Sequence, residues 1–148
     1  MTTQAFQPRN PDYRTAIEES FANQGLLHHI GARLVSVGPG RVTIELAVSQ
    51  QVTQQHGFVH AGAMTAAVDT ACGYAAMSLM PPDTEVLTVE YKVNFMAPAH
   101  GDKLIAVGEV MKPGRTMTVC RGDVFMEDGD GSRKICATML TTMIARQR

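Results

Sequence analysis

The sequence predicts an α+β fold: a curved antiparallel sheet of about five to six strands wrapped around one long central helix, with a short N-terminal helix ahead of it. Three observations predict it. The stretch from Ala61 to Met80 is small or apolar nearly all round, with Asp69 its only charge, and such a helix must be covered on most of its sides. The segments that follow it have strand composition and are joined by short turns, which makes neighbouring strands antiparallel. Before it, two further alternating segments flank a Gly-Pro-Gly turn.

The elements follow in order. Residues 1–9 are expected to form a flexible N-terminus to a single domain spanning 1–148. Asn10 to Asn23 fits a short helix, with Asn10 as cap, Pro11 in the first turn and Gly25 as the stop, and with Ile17 and Phe21 four apart as its apolar anchor. From Ala32 the period changes to two. Val42, Ile44, Leu46 and Val48 share one face, so Ala32–Val37 and Arg41–Ser49 are expected as a hairpin turning at Gly38–Gly40. The long helix comes next and is expected to end at Pro81-Pro82. In Glu85–Met96, Leu87, Val89, Tyr91, Val93 and Phe95 are expected on one face. Asp102–Met111, Arg115–Met126 and Ser132–Ala145 complete the strands, and Gly129–Gly131 is a hairpin tip rather than a phosphate loop, because no helix follows it.

Composition excludes several classes of function. A net charge of -1 with acids and bases interspersed gives no basic face for nucleic acid. The N-terminus has no charged-then-apolar plan, so no signal peptide is expected. Cys72, Cys120 and Cys136 sit singly in apolar segments, which fits buried thiols in a reducing cytoplasm. Ala61–Met80 approaches the length of a membrane span, but its small residues and central acid point to a buried core helix. His28, His29, His56 and His60 do not make a metal site: the adjacent pair cannot face one way in a strand, and no cysteine joins them at ligand spacing.

The chemistry concentrates at the start of the long helix. Its first turn carries backbone N–H groups with no partner inside the helix, and these suit an oxygen that gains negative charge. Ala61 and Gly62 are small enough for close approach, and Gln54, His56 and His60 gather just upstream. This is the layout of an oxyanion hole for a carbonyl under attack. Asp69 lies eight residues beyond Ala61, about 12 Å along the axis. One helix therefore cannot place both groups on the same carbonyl. A second helix packed antiparallel can, which predicts a site shared across a two-fold dimer. Met64, Met77, Met80 and Met96 fit either core filling or an adaptable acyl pocket.

HGFVHAGAMTAAVDTACGYAA (56–76) resembles the signature of the hot-dog thioesterases of the phenylacetic-acid-degradation, PaaI, type, whose pattern is His-Gly-Gly followed by an acid eight residues after the first glycine. His60-Ala61-Gly62 and Asp69 match that spacing, with Ala61 in place of the first glycine. EYKVNFMAPAHGDKLIAVGEVMKPGRTMTV (90–119) resembles the family's paired strands, and the resemblance spans about residues 30 to 145. It implies an acyl-CoA thioesterase with a hot-dog fold, no cofactor beyond the coenzyme A of the substrate, and a homodimer or a homotetramer of two dimers. It implies that Asp69 acts as general base or nucleophile and that the Ala61 N–H polarises the thioester carbonyl. His60 stands as the preceding histidine, Gln54 orients the carbonyl or the water, and Thr88 stands near the acid, although the alternation of its strand sets it opposite Leu87 and Val89. His56, Gly62, Phe95, Pro98, Lys112, Gly114, Arg115 and Thr116 are the substrate-binding positions it implies, Lys112 and Arg115 toward phosphates. No Gly-x-Ser-x-Gly elbow is present. Two alternatives stay open: a hot-dog hydratase or dehydratase pairing His56 or His60 with Asp69, and an acyl-CoA-binding hot-dog protein without turnover.

Overall fold

The computed structural model describes residues 5–148. Its elements are α1 (Tyr13–Ala22), α2 (Gly25–His29), β1 (Ala32–Gly38), β2 (Arg41–Ala47), α3 (Ala61–Met77), β3 (Thr84–Phe95), β4 (Lys103–Lys112), β5 (Met117–Glu127) and β6 (Arg133–Gln147). One six-stranded sheet runs β1-β2-β4-β5-β6-β3, with every pairing antiparallel. The sheet wraps α3, which touches all six strands. This is the expected hot-dog architecture.

The closeness of that wrap has a local cause. Gly108 of β4 and Gly122 of β5 stand opposite each other in register. A methyl group on Gly108 would come within 2.4 Å of the Ala71 and Cys72 backbone, and one on Gly122 within 2.3 Å of Val68. The two glycines thus open a trough in the sheet, and the helix backbone lies in it. Val68, Ala71 and Cys72 are completely buried there; side chains of larger apolar type in such positions contribute about 1.5–3 kcal/mol each.

α3 ends at Met77, before the expected Pro81-Pro82 boundary. Ser78 Oγ turns back to the Ala75 carbonyl at 2.6 Å and also accepts the Gly40 N–H at 2.7 Å, so the last turn is tied to the β1–β2 hairpin. The N-terminal helix also differs from expectation. It starts at Tyr13; Asn10 Oδ1 takes the Asp12 N–H at 3.0 Å in a preceding turn instead of capping the helix. Gly25 opens the short α2 instead of ending the chain's helical run. Ile17 and Phe21 are buried as the spacing predicts. Residues 1–4 of the segment expected to be flexible lie outside the described residues; Phe6 packs over Gly40, and Arg9 Nε donates to the Leu79 carbonyl at 3.1 Å.

β3 departs most from its sequence pattern. The register against β6 shifts between Thr88 and Glu90, so Val89 is an unpaired bulge residue. A bulge inserts one residue and exchanges the faces of everything beyond it. Leu87, opposite Ile144, therefore points away from the helix, whereas Tyr91, Val93 and Phe95, opposite Thr141, Met139 and Ala137, point to the helix side. The single apolar face expected for Leu87, Val89, Tyr91, Val93 and Phe95 does not form. Thr88, opposite the buried Met143, lands on the helix side as well.

Candidate active site

The loop before α3 is pinned at several points. The Gln54 N–H donates to the Phe58 carbonyl at 2.8 Å and the Gly57 N–H to the Gln54 carbonyl at 3.0 Å, with Gly57 in the left-handed region at φ +85°. The Val59 N–H reaches Ala99 at 2.9 Å and the His60 N–H reaches Val52 at 2.8 Å. Gln54 Oε1 accepts the His56 N–H, and its amide nitrogen has no partner among the described residues. His60 is the N-cap of α3: its Nδ1 accepts the Gly62 N–H at 2.8 Å, so its ring proton resides on Nε2. The Ala63 and Met64 N–H groups bond the His60 carbonyl. Ala61 alone in this turn donates to nothing among the described residues, and it is exposed. It lines a cavity of about 670 Å³ with Gln54, His60, Phe95, Met96 and Pro98.

Asp69 opens into a second, separate cavity of about 210 Å³. The Thr88 hydroxyl lies 3.0 and 3.1 Å from its two carboxylate oxygens and donates to one at a time. Asp69 is half-buried. Burial pushes its carboxyl above the ordinary carboxylate range, and the Thr88 hydrogen bond pulls it part of the way back. No cation pairs with it among the described residues. Ala61 and Asp69 lie on the same helix, and their cavities share no lining residue.

The other expected positions divide. Phe95 and Pro98 gather at the Ala61 cavity, and Gly62 adjoins it with its N–H already taken by His60. His56 is not among the residues lining it; its backbone, rather than its ring, meets Gln54. Gly114 and Arg115 line a third cavity of about 540 Å³ near the end of α3. Lys112 stands exposed at the end of β4 and Thr116 gives its carbonyl to the Ala145 N–H; neither lines that cavity. Met64, Met77 and Met80 are core, while Met96 is exposed at the Ala61 cavity. Sequence reasoning missed two participants. Arg9 joins Arg115 in the third cavity, and Gln24 joins Asp69 in the second. Both lie in the N-terminal segment, where no motif marked them. Among the described residues, no three His, Cys, Asp or Glu side chains stand close enough to hold a metal ion, and no helix is long and apolar enough to cross a membrane.

The site thus sets a pinned helix N-terminus with one free N–H and, on the same helix, a carboxylate that opens into a separate cavity. The thioesterase superfamily model matches residues 56–132, and the chain belongs to that superfamily. It is similar to the solved structure of a thioesterase family protein from Silicibacter pomeroyi at 43% identity and a TM-score of 0.89, covering 92% of this chain and 99% of that one. The PaaI protein of the E. coli phenylacetic acid degradation operon shares the fold at a TM-score of 0.80 and 17% identity, over 93% of this chain and 96% of that one. A 1,4-dihydroxy-2-naphthoyl-CoA hydrolase of Listeria monocytogenes is 25% identical over 84% of this chain and 98% of its own length. Human acyl-coenzyme A thioesterase 13 is 28% identical over 62% of this chain and 65% of its own.

Proposed function

We propose that the protein is an acyl-CoA thioesterase whose active site forms between Asp69 of one copy and Ala61 of another. The observation that carries the reading is the Asp69–Thr88 pair: a carboxylate held by a hydroxyl and raised by burial, with no cation beside it. In the reaction, Asp69 removes a proton from water as that water attacks the thioester carbonyl. The carbonyl oxygen becomes an oxyanion and takes the Ala61 N–H of the second copy, with the free Gln54 amide beside it. The tetrahedral adduct collapses, the carbon–sulfur bond breaks, and the Asp69 proton passes to the departing thiolate. If Asp69 itself attacks, the carbon–sulfur bond breaks, the coenzyme A thiolate leaves and a mixed anhydride forms; when water opens that anhydride at the Asp69 carboxyl carbon, single turnover in heavy-oxygen water labels the carboxylate. Arg115 and Lys112 are assigned to the coenzyme A phosphates. No cofactor is needed, and the buried free thiols of Cys72, Cys120 and Cys136 suit a reducing cytoplasm.

The first experiment measures thiol release from acetyl- to palmitoyl-CoA, including phenylacetyl- and benzoyl-CoA. Turnover by the wild type, reduced about a hundredfold or more in Asp69→Asn, is expected; an Asp69→Asn enzyme as fast as wild type refutes the assignment. Ala61→Pro tests the donor cleanly. His60 already has the extended backbone a proline requires after it, at ψ 137°, and proline suits the first helical position while removing only the N–H. Coexpressed, Asp69→Asn and Ala61→Pro chains are expected to recover activity toward about a quarter of wild type, since half of random dimers are mixed and each has one intact site. Recovery absent from a proven mixed dimer argues for a site within one chain.

A further inference from the structure

The cavity at Asp69 extends along α3 away from Ala61, and its far end is built differently from its mouth. Gly73 lies one helical turn past Asp69, and Val86 lies across from it on β3. Beyond them is Tyr74, five residues past Asp69 and so about 7.5 Å along the axis. The Tyr74 hydroxyl is held twice, by Ser20 Oγ at 3.0 Å and by Gln24 Nε2 at 2.9 Å, while Tyr74 itself is only 3% exposed. Gln24 also caps α2 with its backbone, so both its main chain and its amide are fixed. Gln24 lines the cavity, and its amide oxygen has no partner among the described residues. Gly73 is a helical glycine whose presence packing does not require: a methyl group there would meet Val86 at 3.7 Å, an ordinary contact. What the missing methyl leaves is cavity volume.

We propose that Gly73 and Gln24 set acyl specificity: Gly73 makes the room, and Gln24 ends it and accepts a hydrogen bond from a hydroxyl on the far end of the acyl group. The substrates are then thioesters of compact acyl groups with a terminal hydroxyl. The volume of about 210 Å³ holds about seven non-hydrogen atoms at the ~30 Å³ share of a water molecule. A long alkyl chain meets a polar, pinned stop. This inference rests on the thioesterase reading and names the substrate class of that site.

The test compares kcat/KM for acetyl-, hexanoyl-, 6-hydroxyhexanoyl- and palmitoyl-CoA in wild type, Gln24→Met, Gly73→Ala and Tyr74→Phe. Wild type is expected to prefer the hydroxylated six-carbon substrate over hexanoyl by about fivefold, the worth of one neutral hydrogen bond, and hexanoyl over palmitoyl by about tenfold or more. In Gln24→Met the hydroxyl preference falls toward unity. Tyr74→Phe, which keeps the ring and frees the amide, lowers the same preference without moving the length optimum. In Gly73→Ala the ratio of acetyl to hexanoyl turnover rises about tenfold. Palmitoyl-CoA as the best wild-type substrate, a wild-type hydroxyl preference of unity, or the same preference in wild type and Gln24→Met overturns the proposal and leaves the thioesterase reading standing. Failure of wild type on every acyl-CoA in the wider panel sinks both.

Discussion

α3 has two unlike flanks, and both depend on glycine for opposite ends. Against β4 and β5, Gly108 and Gly122 remove side chains from the sheet so that the helix can come in. Against β3, Gly73 removes a side chain from the helix, and the space stays open beside Asp69. The first flank is solid core: Val68, Ala71, Cys72 and Cys120 are completely buried. The second is an edge strand, bulged at Val89, whose helix-side residues Tyr91 and Phe95 remain 46% and 47% exposed. The difference is one of packing: one flank is closed and the other is left open beside a carboxylate. One side of the helix fixes its position; the other holds a carboxylate whose environment raises its pKa, an arrangement that working sites share.

Substitutions can break or sharpen that division. The largest effect is expected from Gly108→Ala, which drives a methyl group into the helix backbone. Overpacking of this kind costs about 1–3 kcal/mol and more against backbone, so chemical denaturation should show a loss of about 3 kcal/mol; a loss under about 0.5 kcal/mol would deny the close approach. On the open flank, Thr88→Ala removes the hydrogen bond that lowers the Asp69 pKa. The acidic limb of its kcat/KM profile should move to higher pH. Asp69 itself carries a sign that can be read in stability. Its pKa is raised in the folded chain, so its contribution is fully present below the unfolded value of 3.8 and lost as pH rises through the folded value. Asp69→Asn should therefore be more stable than wild type at neutral pH, with the gap closing below about pH 4 in thermal melts. Gly73→Ala should gain up to about 1 kcal/mol from helix propensity alone, the reverse of Gly108→Ala although the chemical change is identical. The smallest effect is none: burial pushes the Cys120 thiol up to about 12, so a thiol reagent at pH 8 should leave it unmodified in the native protein.

Much of this division was legible in the chain, and the parts that were not have physical reasons. Long period-two and all-apolar runs declare themselves, because burial demands them; the strands, α3 and the order of elements follow from such runs. The Ala61–Asp69 spacing was legible as distance, because a helix has a fixed rise. The β3 faces were not. A bulge leaves no mark in an alternating pattern, so Thr88 seemed to point away from the acid it touches, and only the family resemblance placed it correctly. Gln24 escaped because Gly25 has the look of a helix stop, whereas here it begins α2. The split between cavities that hold Arg115 and Phe95 was invisible for a simpler reason: sequence motifs carry no record of which end of a helix each loop reaches.

The strand order has a consequence for how the protein is made. β3 has one neighbour, β6, which is the last strand in the chain. Thr88 sits against Met143, 55 residues later. During synthesis, β1, β2 and α3 emerge early and β3 waits unpaired until β6 leaves the ribosome. The Asp69–Thr88 contact is then among the last to form, and a nascent chain stopped at the β5–β6 turn has its helix and most of its sheet but no assembled acid.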